Sequence, residues 1–222
     1  MSGHNILIVT AHPDDEVLGM GGTIARFNKG HSFTHIYLST GVSSRPGWTK
    51  SDQTRRLRAH HRASSILDYQ WSSSWHGDFP DNAFDQVPML GLAQHIGGVI
   101  QKVKPEAVFT HSPCDLNVDH ARTFRAVMTA ARPQPGCPVR FIYSFAVPSS
   151  TNWGARRFRP ALWVDTSRFW LAKREALLAY RQELRDWPHV RSLRAIKAAD
   201  EACGAEVGVP MAEAFETVRM VY

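Results

Sequence analysis

The chain has 222 residues, 43% of them hydrophobic, with seven Trp and eleven Phe, which is ample for one α/β core with at most a modest appendage. No apolar run approaches the ~20 residues of a membrane span. The start of the chain carries no basic and apolar export signal, and Cys114, Cys137 and Cys203 are too scattered for a disulfide framework or a thiolate zinc site, so a reducing cytoplasm is expected. Basic residues exceed acidic ones by 26 to 20, giving +6 and a pI near 9.5. They are not interleaved with stacking aromatics as in a nucleic-acid groove, which favours an anionic small molecule as partner over nucleic acid.

In chain order, the short aliphatic run 6–9 reads as a buried strand and 21–29 as a helix stopped by Gly30. A strand follows at 33–39, a Gly/Ser/Pro loop at 41–48, a basic helix at 52–67 and a third strand at 69–75. The loop 76–82 leads to a helix at 87–103 and a strand at 107–110. The loop 111–120 then opens a helix through Ala131, which Pro133, Pro135 and Gly136 break. A strand at 141–147, a polar loop at 148–151, a short strand at 162–164 and helices at 167–186 and 190–202 complete the pattern. Strands alternating with helices predict a parallel sheet with crossover helices, and the tail has no core pattern of its own, so one domain over 1–222 is expected.

The run 11–16, Ala-His-Pro-Asp-Asp-Glu, falls at the carboxyl end of the first strand, where open α/β sheets place their chemistry. A histidine and a carboxylate three residues apart can grip one divalent metal and leave the second carboxylate free as a base. A helix cap accounts for one acidic residue of this run, not for the set. The loop after the 107–110 strand emerges at the same sheet edge and ends in Asp119 and His120, which brings these two towards His12 and Asp15. Two histidines and one carboxylate make the open three-ligand site of a catalytic zinc, and the same donors admit iron, cobalt or manganese. Gly19-Met20-Gly21-Gly22 lacks the dinucleotide fingerprint, and the preceding carboxylates would repel a pyrophosphate.

These motifs resemble those of the LmbE-like zinc deacetylases, the family of the N-acetylglucosaminylphosphatidylinositol de-N-acetylase (PIG-L). Beyond the run 11–16 and Asp119-His120, the likeness extends through Phe79-Pro80-Asp81-Asn82, Val147-Pro148-Ser149-Ser150-Thr151 and Pro188-His189-Val190-Arg191-Ser192, across essentially the whole chain. It implies a Rossmann-like three-layer α/β sandwich with a mostly parallel sheet and the site at the carboxyl ends of the strands. It also implies that His12, Asp15 and His120 bind Zn2+ and that Asp14 is the general base. The implied reaction is hydrolysis of an N-acyl group, usually acetyl on an amino sugar that is free or linked to a nucleotide, lipid or natural product.

Asn117 stands where many members carry a histidine, and an amide cannot be a general acid. That leaves His189 or His111 to protonate the leaving amine, or Asp14 acting twice. Ser112 and Ala146 also replace a histidine and an acidic residue common in the family. Asp81 and Asn82 suit sugar hydroxyls, Asn117 counts as a further substrate contact, and Arg58 and Arg191 suit an anionic group. Glu16 is expected to orient the turn. The backbone at 19–22 either holds an anion or packs tightly. Two other readings stay open: an amidase for a larger N-acyl group or a thiol conjugate, and a non-catalytic nucleotide- or nucleic-acid-binding protein.

Overall fold

A computed structural model describes residues 3–222. Its strands are β1 (Asn5–Thr10), β2 (Ser32–Tyr37), β3 (Ala107–His111), β4 (Phe141–Phe145), β5 (Leu162–Asp165) and β6 (Ala212–Met220), in one sheet of order β2-β1-β3-β4-β6-β5. The first four pair in parallel, and β6 is antiparallel to both β4 and β5. Alternation along β1 defines the two faces. Ile6 and Ile8 pack with α1 (Asp15–Phe27), α2 (Lys50–Leu67), α5 (Trp170–Ala179) and α6 (Leu193–Glu206). Leu7 and Val9 pack with α3 (Met89–Val103) and α4 (Val118–Ala130) on the other side. This is the expected three-layer α/β sandwich. The strand order reverses between β1 and β3, so the crevice at their carboxyl ends is the topological switch point.

Four elements depart from the sequence reading. The helix after β1 starts at Asp15, six residues before the expected start, and carries the glycines inside it with a non-helical kink at Met20. A Cβ on Gly19 would lie 2.2 Å from the Phe145 ring, so this glycine lets α1 close onto β4. No strand spans 69–75. Only Gln70 exchanges hydrogen bonds with the edge of β2, after which three serines enter a 3-10 turn (Ser73–Trp75).

The helix expected at 167–186 is α5, which stops at Ala179, where the Tyr180 N–H closes onto the Leu177 carbonyl. The chain from 180 to 192 is instead a strap of turns, and α6 begins after Ser192, whose hydroxyl accepts the Ala195 N–H. β6 was absent from the sequence reading. Two glutamates that point into the fold disguise it as polar: Glu213 accepts the Gly22 and Thr23 N–H groups, and Glu216 accepts the Ser112 and Ser144 hydroxyls.

Candidate metal centre and active site

The site begins with a turn. Asp14 follows β1 in the left-handed region (φ 101), and its carbonyl accepts the Val17 and Leu18 N–H groups that start α1. The Glu16 carboxylate accepts the Asp14 N–H at 2.9 Å, and its other oxygen accepts the Tyr69 and Tyr180 hydroxyls at 2.8 and 2.9 Å. Burial pushes the Glu16 carboxyl up to about 7, although the tyrosine hydrogen bonds oppose the shift. The turn sends the two adjacent carboxylates to different partners, Asp15 to histidines and Asp14 to arginines.

Asp15 Oδ2 lies 3.6 Å from His12 Nδ1 and 3.4 Å from His120 Nε2. One ligand atom from each of His12, Asp15 and His120 falls within 4.8 Å of the others. Each of these histidines turns its second nitrogen to a carboxylate. His12 Nε2 is 3.0 Å from Asp119 and 3.3 Å from Asp81, and His120 Nδ1 is 3.1 Å from Asp115. Such outer carboxylates fix the tautomer of a metal-binding histidine and raise its basicity.

The outer carboxylates are themselves anchored: Asp119 by the Asn82 and Phe84 N–H groups, Asp115 by the Ser150 and Thr151 hydroxyls. Burial alone would lower the His12 pKa, but Asp119, Asp15 and Asp81 hold it well above the usual value. Asp14 Oδ1 and Asp15 Oδ1 are buried with no hydrogen-bond partner. Acceptors left over beside two carboxylate-backed imidazoles fit a divalent cation, with the N/O donor set that suits zinc.

Asp14 Oδ2 accepts hydrogen bonds from Arg56 at 3.2 Å and Arg191 at 3.1 Å. Burial raises its pKa, and the two guanidiniums offset only part of that rise. Arg56 also pairs with Glu183 at 3.2 Å, and Glu183 is held in turn by Arg45. Neither Arg56 nor Glu183 was singled out from the sequence. Arg56 does carry a signal, because it falls with His60, Ala63 and Leu67 on the one buried stripe of the otherwise polar α2.

Other candidates fall elsewhere. Asn117 is the N-cap of α4, and its side-chain oxygen accepts the Asp119 and His120 N–H groups. His111 Nε2 accepts the Ala11 N–H at 2.8 Å while its ring stacks on His120. Burial, then the neighbouring His120, push His111 down to about 3, so it is neutral and its accepting nitrogen has no proton to give. His189 is exposed on the strap, with Nδ1 accepting the Arg191 N–H.

Asp81 faces His12 and is gripped by Ser44, while the exposed Asn82 occupies a left-handed turn (φ 54) and contributes its backbone N–H to Asp119. Arg58 is exposed on α2, with no side-chain hydrogen bond or ion pair to the His12–Asp15–His120 cluster among the described residues, and lines a cleft together with Arg56. The N–H groups of Gly22 and Thr23 do hold an anion, the carboxylate of Glu213.

A switch-point crevice with carboxylate-backed histidines around one aspartate places the chain among α/β proteins equipped to hold a divalent cation. More particularly, it belongs to the PIG-L family, GlcNAc-PI de-N-acetylase, which it matches over residues 7–131. It is 25% identical over 164 residues to the 1D-myo-inositol 2-acetamido-2-deoxy-alpha-D-glucopyranoside deacetylase of a Nocardioides species. That match covers 56% of this chain and 54% of the relative, so the chain spans about half the length of the curated relative. The N,N'-diacetylchitobiose deacetylase of Pyrococcus horikoshii superposes with a TM-score of 0.78 at 18% identity, over 97% of this chain and 84% of that one. The 4-carboxy-2-hydroxymuconate hydratase of Pseudomonas putida superposes with a TM-score of 0.77 at 20% identity, over 99% and 98%. No helix among the described residues is long and apolar enough to cross a membrane.

Proposed function

We propose that this protein is a zinc-dependent hydrolase that removes the N-acetyl group from an amino-sugar compound. The observation that carries this reading is the unpartnered Oδ1 of Asp14, the residue adjoining Asp15 of the His12–Asp15–His120 cluster. Family membership and the deacetylase activity of the Nocardioides relative support it. The fold alone decides nothing, since a hydratase shares it.

Zinc held by His12, Asp15 and His120 would lower the pKa of a water to about 7 and polarise the amide oxygen. Asp14 Oδ1 accepts the water proton as the water oxygen bonds to the acyl carbon. Asp14 then returns that proton to the nitrogen as the C–N bond breaks, releasing acetate and a free amine. Burial, which raises the Asp14 pKa, favours the second half of this cycle, while Arg56 and Arg191 fix the orientation of the carboxylate. His189 is the other candidate donor, two residues from Arg191 on the strap. Asp81 and the exposed side chain of Asn82 are the groups expected to meet sugar hydroxyls.

The test is release of primary amine by zinc-loaded protein from N-acetylhexosamines, their nucleotide conjugates and N-acetylated natural products. Amine release that a chelator abolishes and zinc restores is the expected result. No release from any of them by fully metallated protein overturns the reading. Release only from longer N-acyl or thiol-conjugated substrates assigns an amidase instead.

A further inference from the structure

Arg56 and Glu183 also line a cleft of about 500 Å³, built from the 42–48 loop, α2, the end of α5 and the chain after it. Its lining carries six arginines against two carboxylates. Both carboxylates are already engaged, Asp52 by Arg55 and Glu183 by Arg45 and Arg56. Arg58, Arg62 and Arg181 have no carboxylate partner among the described residues. Arg55, Arg58 and Arg62 follow one another at helical spacing along one side of α2. Like charges spaced this way oppose helix formation, so an anion between them would relieve the repulsion. Trp48, 41% exposed, forms part of the wall of the same cleft.

We propose that this cleft binds a pyrophosphate-bearing small molecule of the nucleoside diphosphate class. Guanidinium forks match phosphate oxygens in bidentate fashion, and three unpaired forks around one space suit a polyanion rather than a single carboxylate. The exposed indole of Trp48 supplies a flat surface for a base or a sugar face. The cleft volume lies within the ~300–1,000 Å³ typical of small-molecule sites. The proposal goes beyond the deacetylase reading and requires no catalysis.

The experiment is calorimetric titration of the whole protein with inorganic pyrophosphate and with UDP at fixed ionic strength. Saturable binding of both is expected. In the Arg58→Gln/Arg62→Gln double variant the affinity for pyrophosphate should fall about tenfold or more, in line with the loss of hydrogen bonds to a charged group. Trp48→Ala should weaken UDP but not pyrophosphate. Arg125→Gln, an exposed arginine on α4, controls for unspecific attraction and should bind as the parent does. These side chains are exposed, so the variants should keep the parental melting temperature and far-UV spectrum. Absence of saturation, or equal binding by the folded double variant, overturns the proposal. Two sources of pyrophosphate remain distinguishable: if it is part of the substrate, added pyrophosphate raises KM for an N-acetylated sugar nucleotide, and if it is a separate ligand, KM is unmoved. Either result upholds the site.

Discussion

At the scale of single residues, the division of labour between Asp14 and Asp15 makes distinct predictions. Asp14→Asn keeps a side chain of the same shape between Arg56 and Arg191 but cannot take a proton at neutral pH. Metal content by elemental analysis should therefore stay parental while kcat falls by about 10²–10⁴. Asp119→Ala removes the carboxylate behind His12 Nε2, and a lost outer partner typically weakens metal affinity about 10–100-fold, which a competition titration with a chromogenic chelator would read. If Asp14 serves as base and then acid, His189→Ala should preserve the alkaline limb of the kcat/KM profile. A limb that vanishes in that variant would make His189 the donor. The His12–Asp15–His120 cluster was legible because its members lie in two short runs of unmistakable residue types, each in the chain that follows a strand. Arg56 and Glu183 were not, because only the packing of α2 against the strap after α5 brings them to Asp14. Nor was the cap role of Asn117, which depends on where α4 starts, since the residue type suits a cap and a ligand contact equally well.

At the scale of elements, the parallel strands and the helices between them were readable from apolar runs, and the errors cluster where tertiary contact overrides local pattern. The first helix starts six residues earlier than its expected start at Gly21, and Gly19 inside it lets α1 pass hard against β4, a claim with a direct check. In Gly19→Ala the added methyl would meet the Phe145 ring, which is fully buried and has little room to yield. Overpacking of this kind costs about 1–3 kcal/mol, so urea denaturation should show a lower midpoint with an unchanged slope. A midpoint at or above the parental value would mean that α1 and β4 are not in close contact there. The expected strand at 69–75 failed because edge pairing extended to one residue only. Trp71, rather than continuing a ladder, packs its ring against His60, His61 and His76.

At the scale of the molecule, the antiparallel half of the sheet is fastened to the half that carries the candidate site by a buried charge cluster that joins four elements. Lys173 of α5 is 1% exposed and pairs with Asp200 of α6 at 2.8 Å and Glu213 of β6 at 2.7 Å, while Glu213 also accepts two N–H groups of α1. Lys173→Met leaves two buried carboxylates without their cation, a change that typically costs about 3–5 kcal/mol. Asp200→Asn should be far milder, because Glu213 still neutralises Lys173. Burial raises the Asp200 carboxyl to about 6, an effect that Lys173 opposes and Glu213 reinforces. An acid whose folded pKa lies above its unfolded value favours the fold fully below the unfolded pKa, near 3.8, and loses that contribution as pH rises through about 6. The parent should therefore lose stability relative to Asp200→Asn between about pH 4 and pH 6, with the difference constant above. Paired denaturation curves across that range read this directly, because titrations outside the cluster cancel between two proteins that differ at one position. A pH-independent difference would show that Asp200 ionises in the fold as it does in the unfolded chain, and the cluster would then be a surface-like ion pair and not the buried fastening of β6.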